Sequence, residues 1–186
     1  MILFINACVR TESRTKRLAL HLLSKLNSEY VERDLSKTVF PAVDEIFLTR
    51  RDALIDAERW DDAWFEAARE FASADRIVIA APYWDLSFPA SLKQYFEHIN
   101  VRGITFRYSP EGYPLSLCRA KRLDYVTTAG GSFLPEEFGF GYVKALAENF
   151  YGIRDVRLHL ASGLDVEGAD PEQILHDAMQ QIGQDI

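Results

Sequence analysis

The chain breaks into short, nearly unbroken apolar runs, and nothing else in it restricts the fold as strongly. Ile2–Asn6, Arg76–Ala81, Arg122–Thr128 and Val156–Ala161 carry apolar side chains at positions that would face both sides of a strand. Such strands must be covered on both sides, the condition of a parallel sheet between two layers of helices. Tyr30–Asp34 alternates instead, as an edge strand does. Helical periods separate the runs. Leu18, Leu22 and Leu26 share a face with Ala19 and Leu23, and Asp62–Ser73 carries Ala63, Phe65, Ala67, Ala68 and Phe71. A third helix is predicted from about Pro89 to Asn100, with Leu92, Tyr95, Phe96 and Ile99 inward, and a fourth around 141–151. The last opens on Asp170-Pro171-Glu172-Gln173, an N-cap, a first-turn proline and a capping-box partner, and turns Ile174, Leu175, Ala178 and Ile182 inward.

Strands alternating with helices imply right-handed βαβ crossovers and a five-stranded, doubly wound parallel sheet with helices on both faces. Two stretches depart from the alternation. Residues 36–60, with Pro41 and no clean period, are expected to be a long excursion holding about one helical turn. Ile104–Tyr108 alternates and runs into the turn signal Ser109-Pro110-Glu111-Gly112, so a hairpin or extended flap is expected there.

At 186 residues the chain is expected to form one domain, 1–186. A net charge of −7 with scattered lysines and arginines argues against a nucleic-acid partner. No apolar run reaches membrane-spanning length. Met1 leads straight into strand-like sequence, and Cys8 and Cys118 have no metal or redox spacing, so a cytoplasmic protein with reduced thiols is expected. His21, His98, His159 and His176 show no ligand spacing, and no nucleophile elbow is present, so neither a metal centre nor a hydrolase is indicated.

Open parallel sheets bind ligands beyond the carboxyl ends of their strands, where the strand order reverses. Three loops leave those ends. The first, Ala7–Lys16, places Ser13 and Thr15 where a helix begins, so free N–H groups and the positive end of the helix dipole face outward. Arg10, Arg14, Lys16 and Arg17 make the vicinity cationic. The hydroxyls there can hydrogen-bond a terminal phosphate; with no GxGxxG and no GxxxxGK(S/T), neither a dinucleotide-binding Rossmann site nor a P-loop is supported. The second loop, Pro82-Tyr83-Trp84-Asp85-Leu86, offers aromatic surface to a flat ring. The third, Thr128-Ala129-Gly130-Gly131, lets backbone N–H groups approach that ring without a Cβ between them. Donors there would stabilise negative charge developing on the pyrimidine edge of an isoalloxazine. Phosphate, flat ring and developing anion together describe FMN.

The stretches APYWDLSFPASLKQYFEHI, GITFRYSPEGYP and TTAGGS resemble the flavodoxin-like FMN-dependent NAD(P)H:quinone oxidoreductases and NADH-azoreductases. Ser13-Arg14-Thr15 matches that family's Ser-x-Ser/Thr phosphate loop, and the likeness covers nearly all of the chain outside 36–60. The resemblance implies a flavodoxin-like fold, a non-covalent FMN and a homodimer with sites at the subunit interface. It also implies ping-pong transfer of a hydride from NAD(P)H through the flavin to a quinone, azo or nitro acceptor. Ser13, Arg14 and Thr15 would hold the phosphate; Pro82, Tyr83, Trp84, Asp85 and Leu86 the ring; and Thr128, Ala129, Gly130 and Gly131 its pyrimidine side. Phe106 and Tyr108 resemble the aromatic segment that reaches the neighbouring subunit's acceptor site. Asp85 departs from the pattern, since azoreductases usually carry Asn there. Either its carboxylate turns away and only its backbone serves, or it lowers the flavin potential. The alternatives are a flavodoxin-type one-electron carrier without NAD(P)H activity, and an interaction module that keeps the fold without the cofactor.

Overall fold

The structure is a computed structural model that describes residues 1–182. Its central sheet contains β1 (Ile2–Asn6), β2 (Tyr30–Asp34), β3 (Arg76–Ala80), β6 (Arg122–Thr128) and β7 (Asp155–Ala161), all parallel, in the order β2-β1-β3-β6-β7. The strand order therefore reverses between β1 and β3. Asn6, Ala80 and Val126 lie in register across β1, β3 and β6, so three strands open their loops side by side. This is the expected doubly wound architecture, with β2 at the edge.

Alternate residues of each strand serve opposite layers. Ile2, Phe4, Val78, Ala80 and Val126 pack under α1 (Arg14–Leu26) and α6 (Pro171–Ile182), against Leu18, Leu22, Leu175 and Ile182. Leu3, Ile5, Ile77, Ile79, Leu123 and Tyr125 face the opposite layer, which holds α3 (Glu66–Ser73), α4 (Ala90–Ile99) and α5 (Phe140–Asn149). Phe71, Tyr95, Phe96 and Tyr151 are among its largest wholly buried side chains. Burying each such ring contributes about 1.5–3 kcal/mol, so this layer supplies much of the stability.

Three expectations need correction. Residues 36–60 are not an irregular excursion with one turn: Glu45–Asp56 forms α2, a helix of 12 residues capped by Asp44, whose Oδ1 accepts from the Phe47 N–H at 2.8 Å. Only Phe47 and Ile55 of α2 are buried, so its sequence has almost no apolar stripe to read. The helix predicted from Asp62 begins instead as a 3-10 turn, Ala63–Phe65, before α3. The N-cap of α6 is as expected, Asp170 Oδ1 accepting from Glu172 and Gln173 N–H at 3.0 and 3.1 Å. The Gln173 side chain, however, donates to Asp177 at 2.8 Å rather than completing a capping box. The expected hairpin forms from β4 (Phe106–Tyr108) and β5 (Pro114–Ser116) as a separate two-stranded antiparallel sheet.

Candidate functional site

A cleft of about 210 Å³ lies at the carboxyl ends of β1, β3, β6 and β7. Its walls include Ser13, Arg14, Thr15, Pro82, Tyr83, Trp84, Thr128, Ala129 and Gly130. Nine of the twelve residues singled out for the cofactor are thus brought together. Val9, Arg10, Glu12, Leu164 and Asp165 complete the lining.

The first wall is the start of α1. Ser13 is its N-cap, with an extended backbone (φ −91°, ψ 118°), and its Oγ accepts from the Lys16 N–H at 3.2 Å. Among the described residues, nothing accepts from the N–H groups of Ser13, Arg14 and Thr15. These free donors and the helix dipole fit a terminal phosphate. At the floor, the hydroxyls of Thr15 and Thr128 meet at 2.6 Å, joining the first loop to the third.

The cationic surroundings are largely spoken for. Lys16 pairs with Glu32 at 3.1 Å, Arg17 grips Glu172 with both terminal nitrogens, and Arg14 pairs with Asp165 at 2.8 Å. Arg10 lines the cleft without an ion pair among the described residues. Cys8, beneath this loop, is buried, which pushes its thiol up to about 11 and leaves it a protonated packing residue.

The second wall is a tight turn. Trp84 and Ser87 exchange both backbone hydrogen bonds, at 3.0 and 2.8 Å, around Asp85 (φ 50°) and Leu86 (φ 67°). A two-residue connection with both φ values positive is the geometry that usually demands Asn-Gly. A leucine held there costs about 1–2 kcal/mol, which the surrounding fold must offset. Asp85 and Leu86 form the exposed tip and do not line the cleft, whereas Trp84 and Tyr83 do. The Asp85 carboxylate makes no hydrogen bond or ion pair among the described residues. Two bonds tie this loop to the segment after the glycines: Ser87 Oγ donates to the Phe138 carbonyl at 2.6 Å, and Tyr83 Oη to that of Pro135 at 3.2 Å. Burial, and then the carboxylate of Glu137, push the Tyr83 phenol up, so it stays protonated at neutral pH.

The third wall is held from behind. The carbonyls of Ala129, Gly130 and Gly131 accept from the N–H groups of Leu164, Asp165 and Gly163, at 3.2, 2.9 and 2.9 Å. Among the described residues, the N–H groups of Gly130 and Gly131 donate to nothing. Free donors on an otherwise anchored loop are what a ring carrying developing negative charge would use. Gly131 itself lies outside the lining. A side chain on Gly130 would meet the Asp165 carboxylate first, the end of an exposed, movable side chain.

Phe106 and Tyr108 do not reach this cleft. They sit on the β4–β5 hairpin beside a separate depression of about 570 Å³ with Arg51, Asp52, Ile55, Asp56, Asn100 and Arg102. Phe106 is buried there against Phe150, while Tyr108 is exposed. The residue that sequence reasoning missed is Asp165. It follows β7 in a Gly-Leu-Asp-Val turn with no motif, and only the register of β7 beside β6 brings it to the glycines.

The fold and cleft define a doubly wound α/β protein with unpaired helix-start N–H groups and aromatic side chains on one cleft at a strand-order switch. The chain belongs to the family described as having a flavodoxin-like fold, whose model matches residues 1–186. Among curated relatives, it is 31% identical to the FMN-dependent NADH:quinone oxidoreductase of Lachnoclostridium phytofermentans, over 98% of this chain and 96% of that one. It is 35% identical to FMN-dependent NADH:quinone oxidoreductase 2 of Clostridium acetobutylicum, over 96% and 94%. A crystal structure of a Bacillus anthracis FMN-dependent NADH-azoreductase in complex with FMN superposes with a TM-score of 0.81 at 25% identity, covering 99% of this chain and 96% of that one.

Proposed function

We propose that this chain is a single-domain FMN-dependent oxidoreductase that takes two electrons from NAD(P)H and passes them to a quinone-, azo- or nitro-type acceptor. The observation that carries the reading is the joint presence, on one cleft, of unpaired helix-start N–H groups and unpaired glycine N–H groups. FMN, when bound, supplies the hydride chemistry, and a protein around it needs chiefly to bind, orient and tune. The N–H groups of Ser13, Arg14 and Thr15 would hold its phosphate. Pro82, Tyr83 and Trp84 would support the ring, and Gly130 would donate to its pyrimidine edge. The Thr15–Thr128 bond fixes the distance between the two ends. Relatives whose names state FMN and NADH:quinone chemistry, aligned over nearly their whole length, support the same reading. No described helix is long and apolar enough to cross a membrane, and the reading places the enzyme in the cytoplasm. It also pairs two copies as a homodimer that brings Phe106 and Tyr108 of one copy toward the cleft of the other. Support for this is the exposure of Tyr108, Tyr113 and Leu115 together on one hairpin; sedimentation at micromolar concentration tests it, and a monomer would refute it.

The spectrum of FMN-loaded, desalted protein, recorded anaerobically before and after one equivalent of NADH or NADPH, tests the activity. Retained flavin that loses its visible band on nucleotide addition is the expected result. Retained flavin that ignores both nucleotides would point to a carrier, and no retained flavin would overturn the cofactor assignment.

A further inference from the structure

Asp165 holds an unusual position. Its carboxylate lines the same cleft as the free N–H groups of the helix start, and it pairs with Arg14, the cation of that loop, at 2.8 Å. Arg14 also donates its other terminal nitrogen to the Leu164 carbonyl at 3.3 Å. Both terminal nitrogens are therefore turned across the cleft, toward the loop after β7. That loop cannot drift to follow Arg14, because Gly163, Leu164 and Asp165 donate their N–H groups to the glycine loop. The carboxylate lies close over Gly130, where an added Cβ would meet it.

We propose that Asp165 is an internal competitor of the cofactor phosphate: its carboxylate binds Arg14, and a phosphate must take Arg14 from it. The inference rests on the FMN reading above and assigns a residue that sets the affinity of that site. Arg14 holds the carboxylate through one terminal nitrogen and the Leu164 carbonyl through the other, and a phosphate would compete for these donors. With a side chain 63% exposed, Asp165 can release Arg14 at little cost, since exposed pairs are weak. Once displaced, it stays beside the dianion, where like charge opposes binding. Asp165 therefore lowers FMN affinity through both effects. Riboflavin, which has the same ring and no phosphate, feels neither effect.

The test is fluorescence titration of the apoprotein with FMN and, separately, with riboflavin, for wild type and for Asp165→Asn. The substitution keeps the shape of the side chain and its backbone bond to Gly130, and Asp165→Ala removes the carboxylate by another route. Both variants are expected to bind FMN about threefold to tenfold more tightly, the equivalent of relieving one exposed ion pair and one like-charge contact. Riboflavin affinity is expected to stay the same, and the FMN gain to shrink as salt is raised from 0.1 M toward 1 M. Wild type that prefers FMN to riboflavin, with FMN binding in the variants unchanged or weaker, would overturn the role of Asp165 and leave the cofactor reading standing. An equal gain for riboflavin would also overturn it, by showing a shape effect rather than a charge effect. Wild type that binds neither flavin would overturn both.

Discussion

Asp124 offers the sharpest stability experiment. It lies in β6 with no exposed surface, and its carboxylate accepts from Arg76 Nε at 2.7 Å and Arg122 Nε at 3.1 Å, with His159 Nε2 at 3.0 Å. Burial alone would push this carboxyl up; the His159 hydrogen bond, then Arg76 and Arg122, outweigh it and hold the group below the usual carboxylate range. Asp124→Asn leaves one carbonyl oxygen for three donors and turns an amide N–H₂ toward the rest. Removing one partner from a buried ion pair costs about 3–5 kcal/mol. The side chains of Arg76 and Arg122 are 21% and 19% exposed, so water reaches them and the low end applies. A loss of about 3 kcal/mol at a urea slope near 2 kcal/mol/M lowers the unfolding midpoint by about 1.5 M at pH 7. Tryptophan fluorescence can follow the transition, flavin being absent from both samples. A carboxyl with a depressed native pKa stabilises the fold at pH above its unfolded value, about 3.9, and loses that stabilisation as pH falls through the native value. The gap between wild type and variant should therefore close below about pH 4. A loss under about 1 kcal/mol at pH 7, or a gap that does not close in acid, would refute the assignment of Asp124 as the anionic centre of this cluster.

Three further outcomes follow from the same geometry. Cys8 and Cys118, whose thiols burial pushes up to about 11 and about 12, should resist a disulfide reagent at pH 8 in the native protein and both react after denaturation; rapid native labelling would refute their protonated, packed state. Tyr151→Phe removes the phenol that donates to Asn100 Oδ1 at 2.7 Å and should cost about 1 kcal/mol in urea unfolding, an unchanged midpoint showing that the bond contributes nothing net. Asp85→Asn should leave the flavin midpoint potential near the wild-type value, because the carboxylate stands at the exposed tip of its turn outside the cleft; a clear rise, measured against a reference dye, would place that charge at the ring.

Much of this architecture was legible because its signals are local. The strands at Ile2–Asn6, Arg76–Ala80 and Arg122–Thr128 advertise burial on both faces, and the Asp170 cap and the Ser109–Gly112 turn carry their own chemistry. A helix with few buried residues leaves no such trace, which is why α2 was invisible. In the site, the three loops were readable because each begins where an apolar strand stops, and parallel strands must present those ends together.

What the sequence by itself determined was the set of elements, the positions of the three loops and the chemistry each could offer. The tertiary structure decided which charges remain available and what lies over the glycines. Arg14 reads as a free cation until β7 is laid beside β6; that pairing carries Asp165 across 150 residues of chain to occupy it. Gly130 reads as open space until the Asp165 carboxylate is found close above it. Long-range electrostatic partners have no periodicity and no spacing, so only the register of the folded sheet can assign them.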